Sequence, residues 1–351
     1  MSERNSRGSG VGRRQTARKG SAGRLLLVVL GFLAALILII ALLIKIFVKP
    51  PEISPDPDKS DVSQPVVNPD KPNDGIIDVI QLERREEFYT LLVCGTDKDK
   101  SRTDTIMVVS YDVKGREVNV CSIPRDTLSN VDNRKLKKIN AAFTTSIEEL
   151  ELEIERLLGY PIDRYVVVDY QGFADVIDAI GGVDYNVPMN MYHEDGETVI
   201  NLKKGYQNLN GEEALQFVRF RAGYADQDLG RIHAQQDFIK AVAKQLLSPS
   251  SILNITDIAE AVFDNTKTNL TLGEMAWFAS NALGLKMDGI KFTTLPGESQ
   301  YLYYEPLGYN QWYYVPNETK ILEMVNSGFN PYTTEITDLD LIDLTKYTPG
   351  K

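Results

Sequence analysis

Between residues 83 and 330, short apolar stretches alternate with longer segments of helical periodicity. The short stretches are rich in β-branched residues and end at turn-forming residues, which is typical of buried β-strands. They predict strands over Tyr89–Gly95, Thr105–Tyr111, Glu117–Ile123, Tyr165–Val168 and Val183–Val187. The longer segments predict helices over Asn140–Leu158, Gln171–Ile180, Gly211–Phe217 and Asp228–Leu247, with at least two more before Asn330. Strands interleaved with helices indicate the α/β class, in which helices pack on the faces of one β-sheet.

A different pattern precedes this domain, because the run Leu25–Ile44 contains no charged residue. About 20 apolar residues suffice to cross the roughly 30 Å hydrocarbon core of a bilayer. We therefore predict a transmembrane helix over residues 25–48. The basic tail 1–24 is expected to stay in the cytoplasm, as in a single-pass type II membrane protein with an extracellular C-terminal domain. The alternative is a cleaved signal peptide, but its apolar core is usually only about 7–15 residues long, and this run continues into Lys45 and Lys49.

Two segments beside the domain lack the composition of a folded core. Residues 49–82 are rich in Pro, Asp and Ser, which predicts an extended extracellular linker. The acidic, Thr-rich segment 331–351 shows no helix or strand period. We expect this tail to be disordered, with a docked strand as the alternative.

The two cysteines, Cys94 and Cys121, both lie in predicted strands. An extracellular pair can form a disulfide. However, two cysteines in so long a region do not form a disulfide scaffold, and buried free thiols behave as small apolar side chains. We therefore predict two free thiols. Their spacing does not match a zinc site.

Charge is distributed unevenly along the chain. Nine of the 38 basic residues and one of the 49 acidic residues lie in the first 49 positions, so the remainder carries 29 basic and 48 acidic residues, a net charge of −19. So acidic a domain offers no broad basic surface for nucleic acid. An anionic ligand would require a local cluster of arginines or a divalent cation to offset the field of the domain.

Several catalytic motifs are missing from the sequence. It contains no GxxxxGK[ST] loop, no HExxH motif and no GxSxG motif. His193 and His233 are the only histidines, so few residues could supply the base of a Ser-His-Asp triad. Catalysis by a covalent nucleophile is therefore disfavoured.

A group of arginines and aspartates lies at the ends of the predicted strands. Asp97 follows the first strand, and Arg102 and Asp104 come just before the second. Arg125 and Asp126 end the third strand. Carboxylates at the ends of adjacent strands can hold Mg²⁺. Taken singly, an Asp near a Gly is more often a solvated turn residue, and an Arg–Asp pair is more often structural.

A second group of polar residues lies further along the chain. Arg219 and Arg221 project from one face if their segment is extended, and Asp228, Arg231 and Gln235 share one face of a predicted helix near its N-terminus. Such a helix end also provides N–H groups for phosphate. Alone, Asp228 and Arg231 would be interpreted as a surface ion pair. Together with the first group they favour phosphate binding, because guanidinium groups match phosphate oxygens in pairs.

A series of short motifs runs in order from about Phe88 to Pro296. They are Arg102-Thr-Asp104-Thr, Ser122-Ile-Pro-Arg125-Asp126, Lys138-Ile-Asn140-Ala, Asp169-Tyr-Gln-Gly-Phe173, Ile180-Gly-Gly-Val183, Leu209-Asn-Gly-Glu-Glu-Ala-Leu215, Arg219-Phe-Arg221, and Asp228-Leu-Gly-Arg231 with Gln235. In these motifs the chain resembles the LytR-CpsA-Psr family of cell-envelope proteins from Gram-positive bacteria. The resemblance implies a single α/β domain over residues 83–330, built on a central mixed β-sheet with helices on both faces.

The resemblance also implies an activity and roles for individual residues. Such a protein would be a phosphotransferase that moves a glycopolymer from a polyprenyl-pyrophosphate carrier onto peptidoglycan through a phosphodiester bond, with Mg²⁺ as cofactor. Asp97 and Asp104 would hold the metal, and Asp228 would orient Arg231 or accept a proton. The pyrophosphate would be bound by Arg102, Arg125, Lys138, Arg219, Arg221, Arg231 and Gln235. The catalytic set would be Asp104, Arg125, Arg219, Arg221, Asp228 and Arg231.

An apolar pocket for the polyprenyl chain is a further implication of the resemblance. Candidates to line it are Phe173–Ile180, Phe217, Phe238 and Val242, although ordinary core packing is the more common role for such residues. The segment Tyr301–Glu318 is rich in Tyr and Trp, and both glycan contact and core packing stay open for it.

Two other functions use the same residues. A polyprenyl-pyrophosphate hydrolase would differ only in using water as the acceptor. A non-catalytic regulatory protein that binds polyprenyl phosphate would gain nothing from the two carboxylates of Asp97 and Asp104 unless a metal lies between them. The sequence leaves open which glycopolymer is moved, whether teichoic acid, capsular polysaccharide or another polymer.

Overall fold

The structure, a computed structural model, describes residues 48–53, 82–96, 102–129, 137–194, 199–220, 228–248, 250–251, 254–282, 284–305 and 308–350, without the side chains of 228–233 and 255–256. The predicted transmembrane helix, apart from its last position, and most of the predicted linker lie outside the described residues. Within the described ranges, no helix combines the length and the apolar character needed to span a bilayer.

Strands and helices alternate along the described part of the chain. The strands are β1 Phe88–Thr96, β2 Thr103–Asp112, β3 Glu117–Ile123, β4 Arg164–Val168, β5 Val183–Val187, β6 Met191–Glu194, β7 Val199–Leu202, β8 Gly205–Leu209, β9 Thr266–Thr268, β10 Ile290–Thr294, β11 Gly297–Tyr304, β12 Tyr309–Pro316 and β13 Tyr347–Pro349. The α-helices are α1 Ile147–Leu158, α2 Tyr170–Ala179, α3 Gly211–Arg219, α4 Asp228–Leu246, α5 Ile255–Asp264, α6 Leu272–Ala282 and α7 Glu318–Met324.

The central sheet has the strand order β10-β3-β2-β1-β4-β9. It is mixed, because β1 pairs antiparallel with β2 and parallel with β4. Leu92 of β1 belongs to the same apolar cluster as Leu150 and Ile154 of α1. Tyr89 points to the opposite face of β1, where its ring contacts Trp277 of α6. Helices therefore cover both faces, as the α/β prediction requires.

A second apolar layer covers the carboxyl ends of β1 and β4. It combines α2, α3, α4 and α5 with the small paired strands β5–β8 and β6–β7. Phe217 of α3 and Phe238 of α4 are completely buried at its centre, with ring centroids 5.2 Å apart. This layer places the ends of α3 and α4 near the sheet edge.

The predicted helix over Asn140–Leu158 is wrong in its first third. Residues Ile139–Thr144 form a 3₁₀ turn, and α1 begins after Ser146, which has extended backbone angles and accepts the N–H of Glu149 on its side chain. The Ser-x-x-Glu sequence at this point is an N-cap signature, so a helix start is favoured over continuation.

The expectation of a disordered tail over residues 331–351 is also wrong for the described part of that segment. Ile336 and Leu339 are buried in the main apolar cluster, and β13 pairs antiparallel with β11. Gly159 ends α1 with a left-handed φ of 81°, and a Cβ there would lie 2.6 Å from Ile336. The tail needs no helix or strand period of its own, because contacts with the main apolar cluster and with β11 order it. This outcome corresponds to the docked-strand alternative.

Both cysteines are free and fully buried in the central sheet, as predicted. Burial raises the pKa of the Cys121 thiol to about 12, and it raises the pKa of the Cys94 thiol as well. Because the thiolate is the reactive form, the native protein should label negligibly with a disulfide reagent from pH 7 to 9, whereas two thiols per chain should react in guanidinium. Fast labelling of the native full-length chain would contradict this prediction.

Candidate active site

A cavity of about 670 Å³ lies at the edge of the central sheet. Its lining includes Gly95 and Thr96 at the end of β1, Asp104 near the start of β2, and Val168 at the end of β4. β1 and β4 are parallel, so their carboxyl ends meet here, and the antiparallel β2 begins beside them. In α/β proteins, ligands bind outside the carboxyl ends of the strands.

Most of the cavity lining is apolar. The lining side chains come from the sheet and from the covering layer: Val93, Met107, Phe173, Ile200, Leu215, Val218, Phe238 and Ile239. Of the pocket residues expected from the resemblance, Phe173 and Phe238 line the cavity. The apolar cluster of the covering layer contains these two and also Ile177, Ile180, Phe217 and Val242, which are not among the lining residues. Core packing therefore applies to all six, and cavity lining to Phe173 and Phe238.

The last turn of α3 brings Arg219 to the cavity. The helix starts with a capping box between Asn210 and Glu213, and it ends when Phe220 becomes extended and buries its ring. The Arg219 guanidinium lies 4.8 Å from the ring centroid of Tyr170 at the start of α2, a cation–π geometry. Arg219 is thus helical, so the expected extended pair with Arg221 does not apply to it, and Arg221 lies outside the described residues.

Asp104 and Arg125 form the ion pair at the sheet edge. The Arg125 Nη1 donates to Asp104 Oδ1 at 2.6 Å, and the two side chains keep 29% and 27% of their surfaces exposed. Asp104 lines the cavity, and Arg125 reaches the cavity edge through this pair. Both groups are therefore partly accessible to a ligand.

The segment that carries Arg125 is held on both sides. The backbone N–H of Tyr314 in β12 donates to the Asp126 carbonyl at 2.9 Å, and the Leu128 N–H donates back to the Tyr314 carbonyl at 2.8 Å. On the other side, the Ile139 N–H donates to the Thr127 carbonyl at 2.8 Å. These bonds fix the backbone from which the Arg125 side chain extends.

The other described candidates occupy different positions. Lys138 pairs with Asp126 at 2.9 Å, and its ammonium lies over the Tyr313 ring, outside the cavity lining. Arg102 is exposed just before β2. Gln235 lines the cavity, and its amide donates to the Val218 carbonyl at 3.0 Å, which joins α4 to the end of α3.

Several of the sequence-predicted residues fall beyond what the structure describes. Asp97 follows the end of β1 and lies outside the described residues. Asp228 and Arg231 lie in the first two turns of α4, as the helical pattern predicts. The structure does not describe their side chains. The roles proposed for these three residues stay predictions.

Three further residues line the cavity although the sequence patterns gave them no role in the site: Asp169, Tyr170 and His193. The Asp169 carboxylate accepts the Gly172 N–H at 2.8 Å and so caps α2. Asp-x-x-Gly after a predicted strand is an N-cap pattern, and it could have placed Asp169 and Tyr170 at the sheet edge. His193 lies in β6, a short exposed strand whose sequence gives no comparable signal.

Asp104, one of the two carboxylates predicted to hold a metal, lies at the cavity. Within the described ranges, no group of three or more His, Cys, Asp or Glu side chains could hold a metal. Asp97 lies outside these ranges, so Asp104 is the member of the predicted pair that the structure describes. The buried hydroxyls of Thr96 and Thr103, which pair across β1 and β2, have no hydrogen-bond partner among the described residues. Mg²⁺ prefers oxygen ligands and is commonly held by one or two carboxylates plus substrate phosphates and waters. The Asp104 carboxylate is thus of the ligand type that Mg²⁺ takes.

Comparison with known proteins assigns the family. The sequence model of the LytR_cpsA_psr family matches residues 58–330. The polyisoprenyl-teichoic acid–peptidoglycan teichoic acid transferase TagV of Bacillus subtilis is 33% identical over 256 residues, which are 70% of this chain and 64% of TagV. This chain thus matches less than two thirds of the length of that relative.

Solved structures agree with this assignment. The crystal structure of B. subtilis TagV has a TM-score of 0.59 at 31% identity, and the match covers 69% of this chain and 96% of that chain. The structure of TagT bound to LIIa-WTA has a TM-score of 0.56 at 26% identity, over 71% of this chain and 92% of that chain. The resemblance indicated by the sequence motifs is confirmed, and the protein belongs to the LytR-CpsA-Psr family.

Proposed function

We propose that this protein is a phosphotransferase that moves a glycopolymer from a polyprenyl-pyrophosphate carrier onto peptidoglycan through a phosphodiester bond. The observation that carries the proposal is the Asp104–Arg125 pair and Arg219 around an apolar cavity of about 670 Å³. The apolar walls suit a polyprenyl chain, and the arginines suit a pyrophosphate. The similarity to TagV, which is named as a teichoic acid transferase, supports the same reaction class.

In this reaction the residues of the site mainly position and neutralise the phosphates, as phosphoryl transfer requires. Arg125 and Arg219 bind oxygens of the pyrophosphate, and the Tyr170 ring keeps the Arg219 guanidinium in place. A hydroxyl of the acceptor forms a bond to the phosphorus that carries the glycopolymer, and the bridging P–O bond breaks. Polyprenyl phosphate leaves with the electron pair, and the hydroxyl proton passes to water.

Asp104 has two tasks in this proposal. It holds the guanidinium of Arg125 at 2.6 Å, and together with Asp97 it would hold Mg²⁺. When bound, this ion would neutralise charge on the phosphate oxygens. A site of this kind needs no Ser, Cys or His nucleophile, which agrees with the motifs that the sequence lacks.

The proposal includes a location. The carrier lipid is confined to a membrane and the acceptor is the cell wall, so a domain outside the cell and close to the bilayer can reach both. The predicted type II anchor over residues 25–48 would hold it there, with residues 49–82 as spacer.

The proposal is tested with the full chain in mild detergent. The protein is incubated with a polyprenyl-pyrophosphate-linked saccharide, Mg²⁺ and peptidoglycan fragments, and the products are followed by mass spectrometry. We expect a phosphodiester-linked product that disappears when a chelator is added. Release of polyprenyl phosphate without linkage of the saccharide to peptidoglycan would show that the protein is a hydrolase and not a transferase. Binding of the carrier without turnover would leave a lipid-binding regulatory protein.

Filling the cavity should weaken carrier binding and preserve the fold. Val218 lines the cavity and lies beside Arg219, so Val218→Trp places an indole where the polyprenyl chain would lie. We expect the affinity for polyprenyl monophosphate, measured by isothermal titration in detergent, to fall by about tenfold or more, equivalent to about 1.4 kcal/mol. The control is Leu152→Trp on α1, where the side chain is 41% exposed. Equal affinity of the two variants would show that the polyprenyl chain does not bind in this cavity.

A further inference from the structure

The hairpin of β11 and β12 exposes a pair of aromatic rings. Tyr301 and Trp312 are direct cross-strand partners, and their ring centroids lie 5.2 Å apart with an interplanar angle of 45°. Their side chains are 42% and 59% exposed. We call this pair the aromatic face. Single exposed apolar residues are common, but adjacent large rings on one surface mark an interaction site more often.

Packing of the hairpin does not require the aromatic face. Side chains alternate between the two sides of a strand, and Leu302 and Tyr313 on the opposite side are buried in a cluster with Leu128 and Tyr347. The hairpin therefore has its own apolar core on that side. Tyr301 and Trp312 remain on the solvent side although they contribute nothing to this core.

The Tyr301 ring is held in place by the end of the tail. The Gly350 N–H donates to the Tyr301 carbonyl at 2.8 Å, and a Cβ at Gly350 would lie 2.3 Å from the Tyr301 ring. Backbone thus contacts this ring directly. A ring fixed before binding loses less conformational freedom when a ligand packs on it.

The aromatic face is joined to the candidate active site by a short stretch of strand. Trp312 and Tyr314 lie on the same side of β12, about 7 Å apart along the strand. The Tyr314 backbone bonds to Asp126 and Leu128, in the segment that carries Arg125. The aromatic face therefore lies two residues along β12 from the position that bonds to the segment carrying Arg125.

The chemistry of the hairpin selects the ligand class. A pyranose ring has a face of C–H groups with slight positive charge, which complements the negative π-face of an aromatic ring. Residues 297–316 contain Glu298 and Glu305 and no Lys or Arg. An anionic polymer would be repelled here, so an uncharged sugar strand is the better match.

We propose that Tyr301 and Trp312 form a binding site for the uncharged sugar rings of the acceptor glycan strand. This inference rests on the proposed function, because only a transferase to peptidoglycan has such an acceptor. It assigns a role to the Tyr- and Trp-rich segment for which the sequence motifs gave none.

Tryptophan fluorescence reports on this surface directly. The chain has two tryptophans, Trp277 and Trp312, so Trp277→Phe leaves Trp312 as the sole indole. The full chain with this substitution is titrated with chitohexaose, an uncharged N-acetylglucosamine oligomer. We expect a saturable change in emission as a sugar ring covers the exposed indole. No change at millimolar sugar would overturn the proposal.

Isothermal titration with matched variants adds a second readout. Trp312→Ala should weaken chitohexaose binding by about tenfold, whereas Tyr206→Ala, which removes a ring that is 75% exposed in β8, should leave it within about twofold. Equal weakening by both, or by neither, would overturn the assignment of the site. Tighter binding of an anionic polymer such as hyaluronate would overturn the choice of an uncharged strand.

The transfer assay separates this inference from the proposed function. Trp312→Ala should raise the KM for the peptidoglycan acceptor by about tenfold without changing kcat or the KM for the lipid-linked donor. If the wild-type protein transfers the polymer and the variant has an unchanged KM for the acceptor, the glycan-binding site at the aromatic face is refuted. The transferase function is not affected by that result. Sugar binding by a wild-type protein that transfers nothing would instead refute the transferase.

Discussion

Replacing Asp104 by asparagine should lower the rate of glycopolymer transfer by about 10²- to 10³-fold, the usual cost of losing one charge-stabilising group at a reacting centre. The substitution keeps the shape of the side chain and removes its charge. Arg125 Nη1 then loses the carboxylate that it contacts at 2.6 Å, and the predicted Mg²⁺ site loses its described carboxylate. In the proposed reaction, both losses act on the same phosphate oxygens. The measurement is the initial rate of phosphodiester formation by the full chain, at saturating and at limiting donor.

Matched variants separate this loss from an effect on folding. Asp184→Asn is the control for charge, because Asp184 is exposed and accepts a hydrogen bond from Asn208 at 2.9 Å. Arg125→Ala should show a loss of the same order, and Arg85→Ala is its control, since the two arginines are 29% and 37% exposed and each pairs with a partly exposed carboxylate. A partly exposed ion pair such as Asp104–Arg125 contributes only about 0–1 kcal/mol to stability, so the melting temperature should barely change. More than about a tenth of the wild-type rate in Asp104→Asn would contradict its role.

Replacing Gly211 by alanine should destabilise the domain by about 3 kcal/mol, because the site is overpacked in a position that cannot relax. A Cβ at Gly211 would lie 2.2 Å from the carbonyl oxygen of Ala174 in α2. That atom belongs to a helix backbone, so no side-chain rotation relieves the clash, and α3 has to move away. Because α3 carries Leu215, Val218 and Arg219 into the cavity, transfer activity should fall as well.

Urea denaturation of the full chain measures this change in the free energy of unfolding. The control is Gly284→Ala, where the nearest atoms to a new Cβ lie 3.6 Å away, so stability should change by less than about 0.5 kcal/mol. Equal stability of Gly211→Ala and the wild-type chain would show that α2 and α3 separate more easily than their close contact indicates.

Local patterns in the sequence predict much of this fold because each predicted element has its own period. The strands at Glu117–Ile123 and Val183–Val187 have the predicted bounds. The patterns fail where order comes from elsewhere in the chain. Residues 331–350 have no period, and Ile336 is placed by a groove beside Gly159. No local sequence pattern indicates that this groove exists.

The candidate site shows the same division. Asp104, Arg219 and Gln235, each picked out by residue type and motif, do line one cavity. His193 reaches the same cavity from a strand pair that no periodicity indicated. The orientation of Arg219 was also not predictable, because it depends on where α3 ends, and the buried ring of Phe220 determines that point.

The pairing of β10 with β3 has a consequence for how the domain folds. Val118 pairs with Ile290, so 172 positions separate the two partners. A pairing over such a distance is slow to form, since the entropy of closing the loop is lost before any contact compensates for it. Until β10 arrives, one edge of β3 presents unpaired backbone groups that can pair with other chains. A chain that emerges from its N-terminus onward therefore passes through a long aggregation-prone interval, and its yield should depend on chaperones that cover this edge.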